Sequence, residues 1–165
     1  MPADPQPDLG PLATDWTPLT PFWESLGTRS FVSSDPDGDR LRVRYYATAA
    51  GEARARVWFG PGAEGPPGHT HGGATAALLD EAMGMAALAT GRIVVAAHIE
   101  VDFRQMVPLG AVYTVELTTD GADRKVAVTA RMLDGDRQLV AEATGVFVEI
   151  GTEGMGRAAE AAERR

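Results

Sequence analysis

The sequence predicts an α+β fold, with an antiparallel sheet of about six strands wrapped around one long central helix. Three observations carry this expectation. After Gly72 and Gly73, from Ala74 to Leu88, runs a long series of good helix formers that is apolar nearly all round, so the helix it forms must be buried on all sides. Stretches before and after it alternate apolar with polar residues, the period of a strand with one wet face. Clusters rich in Gly, Asp and Pro separate those stretches, so consecutive strands fold back on one another. A curved antiparallel sheet laid around the helix satisfies all three.

Composition narrows the function. A chain of 165 residues suits one domain with a single core. A net charge of −8 disfavours nucleic acid as a partner, and bulk attraction to an anionic membrane as well. With no cysteine there is no disulfide, no thiolate metal site and no cysteine nucleophile. No apolar run of about 18 residues is present to span a bilayer. The opening Met1-Pro2-Ala3-Asp4-Pro5 lacks the charged-then-apolar pattern of a leader. The expectation is a cytoplasmic protein with no nucleic-acid and no membrane partner.

Residues 1–20 carry Pro2, Pro5, Pro7, Pro11 and Pro18, which predicts an extended or disordered arm. Pro21 to Gly27 can close that arm with one short helix, giving an arm over 1–30. Asp35-Pro36-Asp37-Gly38-Asp39 is a turn cluster. Arg40–Tyr46 and Ala53–Phe59 both alternate and predict a hairpin whose wet face carries Arg40, Arg42, Arg44, Arg54 and Arg56. Such a face serves solubility and edge protection, or forms a basic rim for the phosphates of a ligand.

After the central helix, Thr90-Gly91-Arg92 stops the chain, and Ile93–Met106, Ala111–Thr119, Arg124–Leu133 and Arg137–Ile150 predict four more strands. The main domain spans 31–151. Residues 152–165, rich in Ala, Glu and Arg, predict a flexible, frayed helical tail.

The chemistry concentrates in Gly68–Gly84. Two residues of that apolar helix are charged, Asp80 and Glu81. A carboxylate on a buried helix is costly unless paired or used. His69 and His71 bracket one residue, but no third ligand is convincingly placed, so no metal is expected. No phosphate loop of the P-loop or dinucleotide type occurs.

The run Pro66-Pro67-Gly68-His69-Thr70-His71-Gly72-Gly73, followed by Asp80 and Gly84, resembles the hotdog-fold acyl-CoA thioesterases, particularly their phenylacetate-degradation and mammalian acyl-CoA thioesterase-like branch. The resemblance extends from about Leu41 to Ile150 and includes Ile99–Arg104 and the Pro108-Leu109-Gly110 turn. It implies hydrolysis of an acyl-CoA thioester to free acid and coenzyme A. It also implies a homodimer or dimer of dimers with sites at the subunit interface. Coenzyme A is then part of the substrate, and no separate cofactor is needed. Asp80 takes the role of nucleophile or of general base for water; Gly72 gives the oxyanion donor through its N–H, and His71 orients the loop or the carbonyl. Candidate substrate contacts are Gly73, His98, Arg104 and Met83.

The resemblance has two gaps. Gly65 stands where many such enzymes have an orienting Asn, and Ala96 where related ones have Ser or Thr. Period two puts His98 on the same strand face as Ala96, where it can substitute. These gaps leave a rival reading: a hotdog protein that binds acyl-CoA or acyl-carrier thioesters without turnover. An enoyl-thioester hydratase is a third, and nothing in the motif spacing matches it well.

The motif's physics stands beside the resemblance. A helix N-terminus offers unpaired N–H groups and a positive dipole end, and glycine lets a ligand approach them. That suits the oxyanion of an attacked thioester carbonyl. Asp80 follows Gly72 by eight residues, about 12 Å along a helix axis. One carbonyl cannot touch both, so either the two do different work or Asp80 meets the Gly72 of a second subunit.

Overall fold

The expected helix forms as α2 (Gly72–Ala89), and its Leu78, Leu79, Ala82, Met83 and Ala87 are fully buried. The structure is a computed structural model that describes residues 7–35 and 38–164; Pro36 and Asp37 of the expected turn cluster, and the first six residues of the arm, lie outside the described residues. The strands are β1 (Thr17–Pro18), β2 (Leu41–Ala47), β3 (Ala53–Phe59), β4 (Val94–Phe103), β5 (Val112–Asp120), β6 (Lys125–Leu133) and β7 (Leu139–Glu149). They make one seven-stranded antiparallel sheet in the order β1-β2-β3-β5-β6-β7-β4. Alternation does what it should. Ala55, Val57 and Phe59 of β3, Val115 and Leu117 of β5, and Ala130 and Met132 of β6 are buried, and α2 packs against β3, β5 and β6.

Two features of the sheet differ from the expectation. The seventh strand, β1, comes from the proline-rich arm and pairs with β2 through Thr17↔Ala47 and Pro18↔Tyr46. The strand after α2 does not join its sequence neighbour. β4 runs along β7 at the far edge, and β5 pairs with β3. One long side of β4 is therefore unpaired.

The arm lies on the outer face of the sheet. Tyr46 faces outward beside Arg54 yet is buried, because Leu9 and Trp16 cover it. Its hydroxyl donates to the Leu9 carbonyl at 2.6 Å, and the Trp16 and Tyr46 rings sit 5.7 Å apart. Phe22–Ser25 form α1, a single turn whose Trp23 packs on the core. At the other end Gly151–Glu163 form α3, with no buried residue. Among the described residues no helix is long and apolar enough to cross a membrane.

Candidate active site

The loop into α2 is fixed by its backbone. Thr70 N–H donates to the Val107 carbonyl at 2.8 Å, and His71 N–H to that of Ala63 at 2.7 Å. His71 is the N-cap, with extended backbone, and its Nδ1 accepts from Gly73 N–H at 2.9 Å. This is the work a Ser or Asp usually does at a helix start. It leaves the Gly72 N–H without a hydrogen-bond partner among the described residues. The Phe103 ring of β4 borders it: a Cβ on Gly72 would lie 3.4 Å from that ring. At Gly65 a Cβ would come within 2.7 Å of the His71 Cα, so the loop closes where the resemblance would put an Asn side chain.

About two turns further along, the two carboxylates of α2 have opposite surroundings. Glu81 is held on both oxygens. Tyr45 of β2 donates to Oε1 at 2.8 Å, and Ser30 donates to Oε2. Ser30 in turn accepts from the N–H groups of Val32 and Ser33, so Glu81 anchors the whole 30–34 loop to the helix. Burial and the adjacent Glu81 push the Tyr45 hydroxyl well above its ordinary pKa, so it remains a donor. Asp80 is half-buried and has no hydrogen-bond or ion-pair partner among the described residues; burial raises its pKa above the usual aspartate value. Glu81 is thus structural, and Asp80 is the carboxylate left without a partner among the described residues.

Asp80 borders a cavity of about 260 Å³. Its walls are mostly apolar: Phe22 and Trp23 of α1, Met85 and Leu88 of α2, and Phe147 of β7. A second cavity, of about 400 Å³, opens beside His71 and Gly73 under Phe31 and Val32. Asp80 does not line the second, nor His71 and Gly73 the first. Within one chain the carboxylate and the helix N-terminus serve separate openings.

Three of the expected substrate contacts are placed elsewhere. Met83 is fully buried, its sulfur close to Gly145 of β7, and belongs to the core. Arg104 bonds Glu142 and lies 3.5 Å from Asp102, on the outer face. His98 does not share the face of Ala96. A β-bulge falls between them, so Ala96 pairs with Phe147 and His98 with the next residue, Val146. One extra residue reverses every later side chain, and His98 points outward, exposed. Of the outward arginines, Arg42 stacks on Trp58, Arg54 pairs with Glu52, and Arg56 bonds Thr114 and the Asp8 carbonyl. Sequence reasoning missed Tyr45, Ser30, Phe22, Trp23 and Phe147 as neighbours of the two carboxylates. All come from distant segments, and no local pattern signals them. Among the described residues no three His, Asp or Glu converge as metal ligands would.

Comparison with known proteins agrees with this architecture. Residues 67–141 match the thioesterase superfamily family model. Acyl-coenzyme A thioesterase THEM4 of Xenopus laevis is 33% identical over 93 residues, covering 55% of this chain and 42% of that protein. The chain spans about two fifths of the length of the curated relatives it matches. A solved thioesterase superfamily protein superposes with a TM-score of 0.62 at 28% identity, over 66% of this chain and 54% of that one. The PaaI protein of the E. coli phenylacetic acid degradation operon gives a TM-score of 0.64 at 18% identity, over 78% and 93%, which is a likeness of fold. With its antiparallel sheet folded on one helix, the chain has the hotdog fold, and its segment from the α2 loop into β7 is similar to the thioesterase superfamily.

Proposed function

We propose that the protein hydrolyses acyl-CoA thioesters to the free acid and coenzyme A, with Asp80 of one subunit working against the Gly72 N–H of another. The observation that carries this reading is the contrast on α2: Glu81 is fully engaged, while its neighbour Asp80 has no partner among the described residues, is half-buried and faces a mostly apolar cavity. The name of the THEM4 relative supports coenzyme A as the thiol half of the substrate.

Asp80, as a carboxylate, takes a proton from water while the water oxygen attacks the thioester carbonyl carbon. Negative charge gathers on the carbonyl oxygen, where the Gly72 N–H and the α2 dipole stabilise it. The C–S bond then breaks, and the thiolate leaves as coenzyme A with the proton that Asp80 took, which restores the carboxylate. Direct attack by the carboxylate, through a mixed anhydride that water then opens, uses the same two groups. Single turnover in ¹⁸O-water tests the second route: label in the Asp80 carboxyl requires an anhydride opened at its Asp80 carbonyl, whereas label in the product acid alone fits general-base attack or opening at the acyl carbon.

The two-subunit arrangement rests on geometry. Gly72 and Asp80 are about 12 Å apart along the axis and border different cavities. The unpaired side of β4 carries exposed Val95 and Phe103, and Phe103 also touches Gly72. Pairing of two β4 edges would bring each helix N-terminus towards the other chain's Asp80.

The test is release of free thiol from a panel of acyl-CoAs by wild type and Asp80→Asn; the chain has no cysteine to raise the background. Turnover by wild type, with a loss of about a hundredfold or more in the variant, is expected. Binding without turnover by wild type would overturn hydrolysis. It would favour the thioester-binding reading, which Gly65 and Ala96 support by standing where related enzymes have helper side chains.

A further inference from the structure

The cavity beside Asp80 has an unusual wall. Gly84 lies one turn after Asp80 on the same face of α2 and lines the same cavity. Glycine is the poorest helix former after proline, so its place in the middle of an 18-residue helix needs a reason. Close packing does not supply one. A Cβ built on Gly84 meets nothing within 4 Å, whereas one on Gly145, where Met83 and Phe147 press in, meets atoms at 2.5 and 3.1 Å. Backbone conformation does not supply one either, because Gly84 is helical. The position is open space in a mostly apolar cavity bounded by Trp23, Met85, Leu88 and Phe147, with Arg92 and the engaged Glu81 also on its wall.

We infer that Gly84 is a specificity-determining residue: the missing side chain is the berth of the acyl group, and it sets the largest acyl group that can be presented to Asp80. This rests on thioester hydrolysis at Asp80. A group attached to the attacked carbonyl must lie beside the carboxylate, and the apolar space next to Asp80 is the one Gly84 keeps open. Its size sets the class. An apolar cavity of about 150 Å³ holds benzene, so about 260 Å³ takes one aromatic ring with a short linker, or an aliphatic chain of similar bulk. A long fatty acyl chain exceeds the part of it that one chain lines.

The experiment compares wild type, Gly84→Ala and Gly84→Leu on acetyl-, octanoyl-, aryl-substituted and palmitoyl-CoA, with melting curves beside the kinetics. Gly84→Ala should fold and melt about 2–4 °C higher, because alanine favours the helix and has room. The ratio of kcat/KM for the octanoyl and aryl substrates to that for acetyl-CoA should fall in both variants, by about tenfold or more in Gly84→Leu. A ratio unchanged within about twofold would overturn the assignment. So would an altered oligomeric state at constant ratio, which would give the gap to packing against a second copy. If wild type hydrolyses none of the panel, hydrolysis itself fails, and calorimetry of the same acyl-CoAs decides the berth. Affinity loss graded with acyl size in Gly84→Leu keeps it, and equal affinity overturns it.

Discussion

The Tyr45 hydroxyl donates to Glu81 across 2.8 Å and thereby settles which of two adjacent carboxylates is available. Glu81→Ala should remove the acceptor for a fully buried phenol and release the Ser30 loop. An expected loss of about 1–3 kcal/mol in urea unfolding follows. Glu81→Gln should recover part of it. A variant equal in stability to wild type would show that the Tyr45–Glu81 bond does not anchor the loop.

Asp80→Asn should behave in the opposite sense. Burial raises the Asp80 pKa in the folded state, so its effect on stability is favourable below the unfolded pKa and is lost as pH rises through the folded one. At neutral pH the native protein therefore holds a charge that its surroundings disfavour. The neutral amide should melt higher than wild type at pH 7, with the difference shrinking towards pH 4. Gain of stability with loss of turnover is the signature of a functional carboxylate.

The same shift sets the acid limb of the pH profile. The working form of Asp80 is the carboxylate, so kcat/KM should rise with pH through an apparent pKa above that of a free aspartate. An acid limb at the ordinary aspartate value, measured on a substrate whose chemistry is rate-limiting, would move the role away from Asp80.

Gly72 permits a test of the oxyanion role that spares the helix. It is the first residue of α2, and the residue before it is extended, with φ −61° and ψ 133°. Proline is tolerated at that position and lacks the N–H. Gly72→Pro should fold, and should lower kcat by about 10²–10³. Mixed with Asp80→Asn, it also tests the shared site. A dimer of one chain of each holds one site with both groups intact, so activity should return on mixing and refolding. Two inactive variants that stay inactive together would place the whole site in one chain.

Local pattern made much of this fold legible. Arg40–Tyr46 and Ala53–Phe59 alternate cleanly, and β2 and β3 pair over Leu41–Ala47 and Ala53–Phe59. The apolar run after Gly73 reads as a helix and forms one, but it is not buried on all sides: Ala77, Asp80, Gly84 and Leu88 are left half-buried along one of its sides. What was not legible depended on partners far along the chain. β1 is two residues, one of them proline, and forms only because Leu9, Trp16 and Tyr46 hold the arm on β2. The bulge after Ala96 leaves no mark in the residues Ala96-Ala97-His98, yet it moves His98 to the other face. In the candidate site, Asp80 and His71 were conspicuous as a charge in an apolar run and a residue before two glycines. The fate of Glu81 was hidden, since Ser30 is 51 positions away and Tyr45 is 36.

Covering the β2 edge with the arm has a consequence for growth. A sheet with two open edges can add copies without limit and become a fibre; one with a single open edge cannot. Here the two residues of β1 cover the Tyr46–Ala47 end of β2, and β4 is left open along its length at the other edge. Edge pairing of β4 with its own copy is two-fold and uses up that ladder. The proline-rich arm, through Thr17 and Pro18, thus shortens the ladder that the β2 edge offers to another copy.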